Sequence, residues 1–395
     1  MQRTMRALAF AIAIASSASA AGQTVTLYGR LYPEVIWTRM TGATAPGTPV
    51  STLASAPTGE TFASVVKMDS SNSRMGFRGE EPLGAGLKAI FQIEQRILVD
   101  TGGGLLATRN TFVGLASDAL GTVKLGNLDT VYKEIGDTLS FLGVSSGNFV
   151  SNSNLLSKQG FGTSSAGSFH LRRANSTRYE SPDVKGLQGL VQYSPDEARS
   201  ASRNAYLWSL GAVYENGPLY GAVAYELHND TFGGSRNLPA ALSNANDANA
   251  RSRDTGLRAT LQYRAGNHTV EGNVAQMEYD ERGGKPGRFQ RYRHTTFSIG
   301  VDSKWSDAWR TAAAVVYAGA GSCRLFDGAP CTTDGLDGQQ VSLGAAYYFS
   351  KRTYLFALYS RVRNGGSAQY NNIDGIDVPP GADLQQFALG ITHNF

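Results

Sequence analysis

The amino-acid sequence predicts an all-β fold, in which sixteen antiparallel strands follow one another up and down and close into a transmembrane β-barrel. Three observations support this prediction. Apolar and polar residues alternate with a period of two, the links between the alternating segments are short and long in turn, and the faces opposite the apolar ones carry charged, amide and hydroxyl side chains. No helical periodicity of comparable length accompanies them.

The stretch 73–95 has the pattern in its simplest form. Met75 and Phe77 alternate with charged neighbours, a proline and two glycines interrupt the chain at 82–86, and alternation resumes from Leu87 to Ile93. This stretch is therefore a predicted hairpin, one face of which contacts water. A two-stranded hairpin is only marginally stable alone, so it must belong to a larger sheet.

The same criteria locate all the candidate strands. The clearest lies between 254 and 264, where Leu257 and Leu261 share one face and Arg258 lies on the other. In chain order the predicted strands are 24–39, 67–80, 86–97, 108–118, 121–132, 169–181, 186–195, 204–215, 218–229, 252–264, 267–281, 290–303, 307–319, 338–350, 352–364 and 383–395.

The links predict the order of the strands. Links after even-numbered strands are short, whereas those after odd-numbered strands are mostly long and rich in Gly, Ser, Asn, Thr and Pro. Such alternation of link lengths is typical of an up-and-down meander that has short turns at one rim and long loops at the other. Apolar residues on the outer face and polar residues on the inner face require closure, because an unpaired backbone group in lipid costs several kcal/mol. About sixteen strands would leave an aqueous lumen.

Aromatic residues flank the short turns. Pairs of them occur on either side of three turns, and we expect these rings to form a girdle at headgroup depth. The pairs are Tyr214 and Tyr220, Trp305 and Trp309, and Phe349 and Tyr354.

Residues 1–20 are a predicted secretory signal peptide. Arg3 and Arg6 precede an apolar run, and small residues at 18–20 form a cleavage site, so the mature chain is expected to be 21–395. Its removal leaves 34 basic and 32 acidic residues, a balance that does not favour nucleic-acid binding.

Cys323 and Cys331 are the two cysteines of the chain. Their spacing does not fit a redox Cys-x-x-Cys motif, and further zinc ligands are missing nearby. Export to an oxidising compartment favours a disulfide that pins an exposed loop; two free thiols are the alternative.

At this point the sequence resembles the trimeric general porins of Gram-negative outer membranes, in particular their beta-proteobacterial branch. The resemblance covers nearly all of the mature chain and is weakest in the long links. It rests on VTLYGR at 25–30, the hairpin at 73–94, FVGL at 112–115, GTVKLG at 121–126, NSTRYESP at 175–182, YYFSKRT at 347–353 and FALGITHNF at 387–395.

The resemblance implies a passive, water-filled channel for small hydrophilic solutes and ions, with no cofactor, no metal and no catalytic residue. It implies a homotrimer in contact with outer-membrane lipid and lipopolysaccharide. The terminal Phe395 would be part of the signal that the outer-membrane assembly machinery reads; His393 is the polar exception in that segment.

The resemblance also implies a constriction. The link at about 133–168 would fold inward as the third loop and narrow the lumen, opposite basic residues of the wall. The matching wall positions are Arg30, Arg74, Arg109 and Arg172, with Lys124 and Arg178 as less certain neighbours. The loop offers Glu134, Asp137 and Lys158. Since arginines would face few carboxylates, we expect mild anion selectivity; arginines merely spread along the lumen are the alternative.

Two rival classes of function remain open. An outer-membrane enzyme, a protease or lipase built on a barrel, would need an Asp/His or Ser/His constellation at one rim. The Gly-x-Ser-x-Gly at 143–147 lacks the strand and helix that a nucleophile elbow requires. A structural or adhesive barrel with a plugged lumen is the second rival, because the long links could supply the plug.

Overall fold

A computed structural model describes residues 24–70, 72–104, 106–139, 141–142, 148–197, 203–373 and 376–395. The predicted signal peptide and the 143–147 motif lie outside the described residues. The strand segments within these ranges form one antiparallel sheet. Nineteen segments are present, and three pairs of them are halves of interrupted strands, so the sheet has sixteen spans. Each span corresponds to one predicted strand.

The spans are numbered in chain order, and interrupted spans have two segments. They are β1 (Thr24–Leu31 and Glu34–Thr41), β2 (Phe62–Asp69 and Arg74–Gly84), β3 (Leu87–Arg96), β4 (Thr111–Ser117), β5 (Gly121–Asp129), β6 (Arg172–Glu180), β7 (Leu187–Pro195), β8 (Tyr206–Asn216), β9 (Leu219–Asn229), β10 (Arg251–Ala265), β11 (His268–Arg282), β12 (Phe289–Lys304), β13 (Trp309–Ala318 and Ser322–Leu325), β14 (Gly338–Tyr348), β15 (Thr353–Asn364) and β16 (Asp383–Asn394).

The barrel closes between its first and last strands. Arg30 lies opposite Asn394 and Val35 opposite Leu389, so both halves of β1 pair with β16. The backbones of Gly29 and Phe395 add two further hydrogen bonds at this seam, of 2.9 and 3.0 Å. Closure thus pairs the first strand with the last, as the sequence predicts.

Side chains alternate between the two surfaces of the sheet. Leu257 and Leu261 on β10 are 49% and 60% exposed, whereas Arg258 between them is buried. The apolar face is thus the outer surface of the barrel and the polar face lines the inside, which confirms the predicted arrangement. No helix in the described ranges is long and apolar enough to cross a bilayer.

The interruption of β1 has a local cause at Pro33. Proline has no backbone N–H to donate to a ladder, and β1 breaks at Tyr32 and Pro33 where the prediction had one continuous strand. The N–H of Tyr32 instead donates to the Ser73 hydroxyl at 2.8 Å, beside the break in β2.

The longest link, residues 130–171, is named here the lumen loop. It contains the short helices α1 (Val131–Ile135) and α2 (Ser153–Leu156). The prediction that β5 continues to 132 is wrong: it ends at Asp129, because the Thr130 hydroxyl accepts a hydrogen bond from the Lys133 N–H and caps α1.

The girdle prediction is confirmed for four rings and wrong for two. Tyr214, Trp305, Trp309 and Phe349 are exposed on the outer surface. Tyr220 and Tyr354 are 8% and 2% exposed, because they point inward and their hydroxyls donate to carbonyls of the lumen loop. The disulfide prediction is confirmed, since Cys323 and Cys331 are bonded with their Cα atoms 5.8 Å apart.

Candidate functional site

The lumen loop starts against one side of the barrel interior. The N–H of Tyr132 donates to the Ser209 hydroxyl on β8 at 2.9 Å, and the Tyr220 hydroxyl on β9 donates to the Ile135 carbonyl at 2.6 Å. An apolar cluster joins the loop to the wall from β9 to β12; besides Tyr132 and Ile135 it includes Val131, Phe161, Phe169, Met277, Tyr279, Phe289 and Tyr292. This apolar contact fixes the beginning and the end of the loop.

The middle of the lumen loop reaches other strands. The N–H of Leu142 donates to the Asp302 carboxylate on β12 at 3.0 Å. The Asn148 amide donates to Glu34 on β1 at 2.8 Å, and the Leu156 carbonyl accepts from Thr296 on β12 at 2.8 Å. The loop therefore crosses the interior rather than projecting outward.

A cavity of about 610 Å³ remains between the lumen loop, strands β2, β3, β6 and β16 and the link 365–382. Amide and hydroxyl groups form much of its lining, including those of Asn148, Asn154, Asn371, Asn372 and Gln386. Six lining residues are basic and two are acidic; the basic ones are Lys67, Arg96, Arg109, Lys133, Lys158 and Arg172, and the acidic ones are Asp69 and Asp377.

Near the cavity, each of three carboxylates is shared by a pair of basic side chains. Asp69 lies 3.8 Å from Lys67 and 3.9 Å from Arg96. Glu94 lies 2.5 Å from Arg109 and 3.9 Å from Arg74, and it accepts a hydrogen bond from Tyr28.

Asp129 repeats the arrangement, with Lys133 at 2.8 Å and Arg172 at 2.9 Å. Three carboxylates thus face six basic groups, and an excess of positive charge remains. We name this set of nine side chains the basic wall.

Strand register concentrates the charge further. Arg30 lies directly opposite Arg74, and Arg74 lies directly opposite Arg96. The three arginines are therefore side by side on neighbouring strands. Like charges directly opposite one another destabilise a sheet. An anion in the adjacent cavity would reduce that repulsion.

Burial lowers the pKa values of two side chains of the lumen loop that line the cavity. The pKa of the Lys133 ammonium is lowered by burial, and the nearby Asp129 carboxylate opposes only part of this shift. Burial also places the pKa of His170 well below its usual value, and Lys133, Arg258, Lys158 and Arg172 act in the same direction. The His170 ring is therefore neutral at neutral pH and adds no charge to the cavity.

The residues predicted from the resemblance fall into three places. Arg109, Arg172 and Lys158 line the cavity, and Arg74 shares Glu94 with Arg109. Arg30 donates to the Asn394 amide oxygen at 2.8 Å, beside the seam.

The other predicted residues lie in the lumen loop or in the ion-pair cluster around Arg178. Arg178 is 1% exposed and contacts Glu134 at 2.5 Å and Glu180 at 2.9 Å, while Lys124 contacts Glu180 at 2.7 Å. Asp137 accepts a hydrogen bond from Asn152 at 2.8 Å. Neither carboxylate of the loop lines the cavity.

Sequence reasoning missed Lys67, Arg96 and Lys133. For Arg96 the signal was present, because it continues the polar face formed by Lys88, Gln92 and Glu94 at alternate positions of β3. Within the described residues, no group of three or more His, Cys, Asp and Glu side chains could hold a metal ion.

Known outer-membrane proteins are similar to this chain in sequence. A family model described as Gram-negative porin matches residues 7–367. The major outer membrane protein P.IB of Neisseria lactamica is 29% identical over 246 residues, which are 53% of this chain and 69% of that protein. P.IB of Neisseria meningitidis serogroup B is 31% identical over 225 residues, 50% of this chain and 62% of that protein.

Solved structures match over a larger part of the chain. An anion-selective porin from Comamonas acidovorans has a TM-score of 0.67 at 19% identity, and the match covers 95% of this chain and all of that one. At this identity the likeness concerns the fold.

Proposed function

Because this chain belongs to the Gram-negative porin family, we propose that its basic wall makes it a mildly anion-selective channel for small hydrophilic solutes and ions. Members of the family are channels, and the chain is an outer-membrane protein that forms a water-filled path for passive diffusion. The selectivity and the residues that carry it are our proposal.

The excess charge of the basic wall is the observation that carries the proposal. Six basic side chains share three carboxylates around a cavity of about 610 Å³. A passing anion within a few ångströms of these groups is attracted before salt screens the interaction, since the Debye length at 0.1 M is about 10 Å. The acids of the lumen loop do not offset this charge, because neither Glu134 nor Asp137 lines the cavity and Glu134 is paired with Arg178.

We assign the constriction to the segment 133–168 of the lumen loop. Hydrogen bonds to β1, β9 and β12 support this assignment, because they hold the segment across the interior. Arg74, Arg109 and Arg172 would form the opposite side of the narrowing, with Lys67 and Arg96 added to them. Lys133 would contribute its charge from the lumen loop itself. Arg30 would extend it towards the seam, whereas Lys124 and Arg178 would support the loop from below.

Membership of the family also supports a proposal for the assembly state and the other partners. We propose a homotrimer that sits in outer-membrane lipid and lipopolysaccharide and is inserted by the outer-membrane assembly machinery. One solved relative in fold, OmpT of Vibrio cholerae, is described in a trimer form. Phe387, Leu389, Ile391 and Phe395 are exposed on the outer surface of β16 and its end, which makes them available to such machinery.

Recordings from planar bilayers test the proposal. The refolded protein should produce stable ohmic conductance steps, and its reversal potential in a tenfold KCl gradient should have the sign of chloride preference. A cation-selective reversal potential would refute the selectivity, and a silent bilayer containing correctly folded protein would refute the channel.

A further inference from the structure

The outer surface of β10 to β13 changes character along its length. Strands β10, β11 and β12 have 15, 15 and 16 residues and are the longest uninterrupted strands of the described sheet. Towards the short turns their outward side chains are apolar, as at Leu261, Val274 and Ile299. Towards the long loops the outward side chains are mostly charged.

We name this charged area the outer basic patch. It contains six arginines, Arg251, Arg253, Arg282, Arg291, Arg293 and Arg324, with two carboxylates, Glu278 and Asp280, among them. The arginines face away from the lumen, because the residues between them, such as Ser252 and His294, are buried inside.

Strand register places arginines directly opposite one another in this patch. Arg251 pairs with Arg282 between β10 and β11, and Arg291 pairs with Arg324 between β12 and the second segment of β13. Each pair is a like-charge contact on one face, which is unfavourable unless an anion lies between the two groups.

The carboxylates of the patch neutralise only part of it. Arg291 binds Glu278 at 2.7 Å, and Arg282 lies 3.6 Å from Asp280. Within the described part of the chain, Arg253 and Arg324 have no ion pair or hydrogen bond from their side chains. These two exposed guanidinium groups therefore keep their donors available for a ligand.

The height of the patch identifies the ligand. Tyr263 lies at the short-turn end of β10, and Arg253 is about ten residues away, or ~25 Å at a rise of ~3.3 Å per residue and a tilt of ~40°. The apolar band of an outer-membrane barrel is also ~25 Å tall. The row that contains Arg253, Asp280, Arg291 and Arg324 is thus at the level where lipid headgroups begin.

From these observations we infer that the outer basic patch is a binding surface for the phosphate groups of outer-leaflet lipopolysaccharide. Guanidinium groups bind phosphate in a bidentate manner, and acyl chains of the same lipid molecule would cover the apolar surface below. The inference rests on the membrane placement of the proposed channel but not on its ion selectivity.

The double variant R253Q/R324Q tests the inference. It removes two exposed side chains that hold no internal contact, so the barrel should fold as before. Binding of fluorescent lipopolysaccharide to the detergent-solubilised protein should weaken about fivefold for each arginine removed, and about 25-fold in total. Bilayer conductance of the same preparation should equal that of the unaltered protein.

Arg39 and Arg363 supply the matched control. Both are exposed and point outward near the long-loop rim, on β1 and β15. R39Q/R363Q removes the same charge outside the patch and should change lipopolysaccharide affinity by less than about threefold, as expected from long-range attraction alone. Dephosphorylated lipopolysaccharide should bind the unaltered protein and R253Q/R324Q equally.

Several outcomes would overturn the inference. One is equal weakening in the two double variants, and another is equal affinity for the phosphorylated and dephosphorylated lipid. Complete displacement of the lipid by millimolar inorganic phosphate would indicate a site for free anions. A changed oligomeric mass of R253Q/R324Q in light scattering would indicate contact between copies of the chain. Silent bilayers with intact lipid binding would reject the channel alone.

Discussion

Lys158 lies on the lumen loop and lines the cavity, so its charge can be removed without replacing a residue of the barrel strands. A sphere of the cavity volume has a radius of about 5 Å. A unit charge at about 5 Å from an ion in water contributes about 0.8 kcal/mol. At 0.1 M salt, where the Debye length is about 10 Å, about 0.5 kcal/mol remains.

The variant Lys158→Gln should therefore change ion preference by a predictable amount. Entry of an anion becomes about 0.5 kcal/mol less favourable and entry of a cation becomes more favourable by the same amount. The ratio of anion to cation permeability should fall about fivefold at 0.1 M salt. At 1 M salt, where the Debye length is about 3 Å, the change should be less than about twofold.

Reversal potentials in KCl gradients at the two salt concentrations measure both values. Lys351→Gln is the control, because Lys351 is exposed in a short turn away from the cavity and should leave the reversal potential unchanged. If Lys158→Gln has no effect at 0.1 M, or the same effect at 1 M, then Lys158 does not act on ions in the path by its charge.

Three further predictions concern single features of the barrel. Arg178→Ala removes the buried partner of Glu134 on the lumen loop and one of the two partners of Glu180 on β6. It should destabilise the folded protein by about 3 kcal/mol in urea titrations, whereas Lys88→Ala, which breaks an exposed ion pair, should cost less than about 1 kcal/mol. Replacing Cys323 and Cys331 by serine should make local opening of the loop between them about 2–3 kcal/mol easier in hydrogen exchange, with unchanged conductance; altered conductance would place this loop in the ion path. The variant His170→Gln and the unaltered protein should have the same reversal potential at every pH between 7.5 and 5.5, because burial lowers the pKa of His170 and keeps the ring neutral. If the ring instead became charged near pH 6.5, the anion preference of the unaltered protein would rise as the pH falls, and that of the variant would not.

The strands were predictable because lipid and water impose a period of two on every span. Alternation identified all sixteen spans, including β10, where Arg258 is buried between exposed leucines. The break at Pro33 could have been recognised from its missing N–H. Helix α1 could not, because five residues are too few for a periodic signal and the helix is stabilised by contacts with β8 and β9.

The site was less predictable than the barrel. Alternation shows which face of a strand a residue is on, but not which part of that face a loop covers. Arg172 and Arg178 share one face of β6, yet one lines the cavity and the other is buried beside Glu134. The same limit applies to Tyr220 and Tyr354, whose inward direction depends on carbonyls of the lumen loop.

The seam between β1 and β16 has a consequence for the kinetics of folding. Arg30 and Asn394 bond across a separation of 364 residues, so the cylinder cannot be completed until the two ends of the chain have met. Every earlier intermediate exposes two unpaired strand edges, and the search for this distant pairing is slow. During that interval the nascent sheet is vulnerable to aggregation, and a chaperone that masks its edges would protect it.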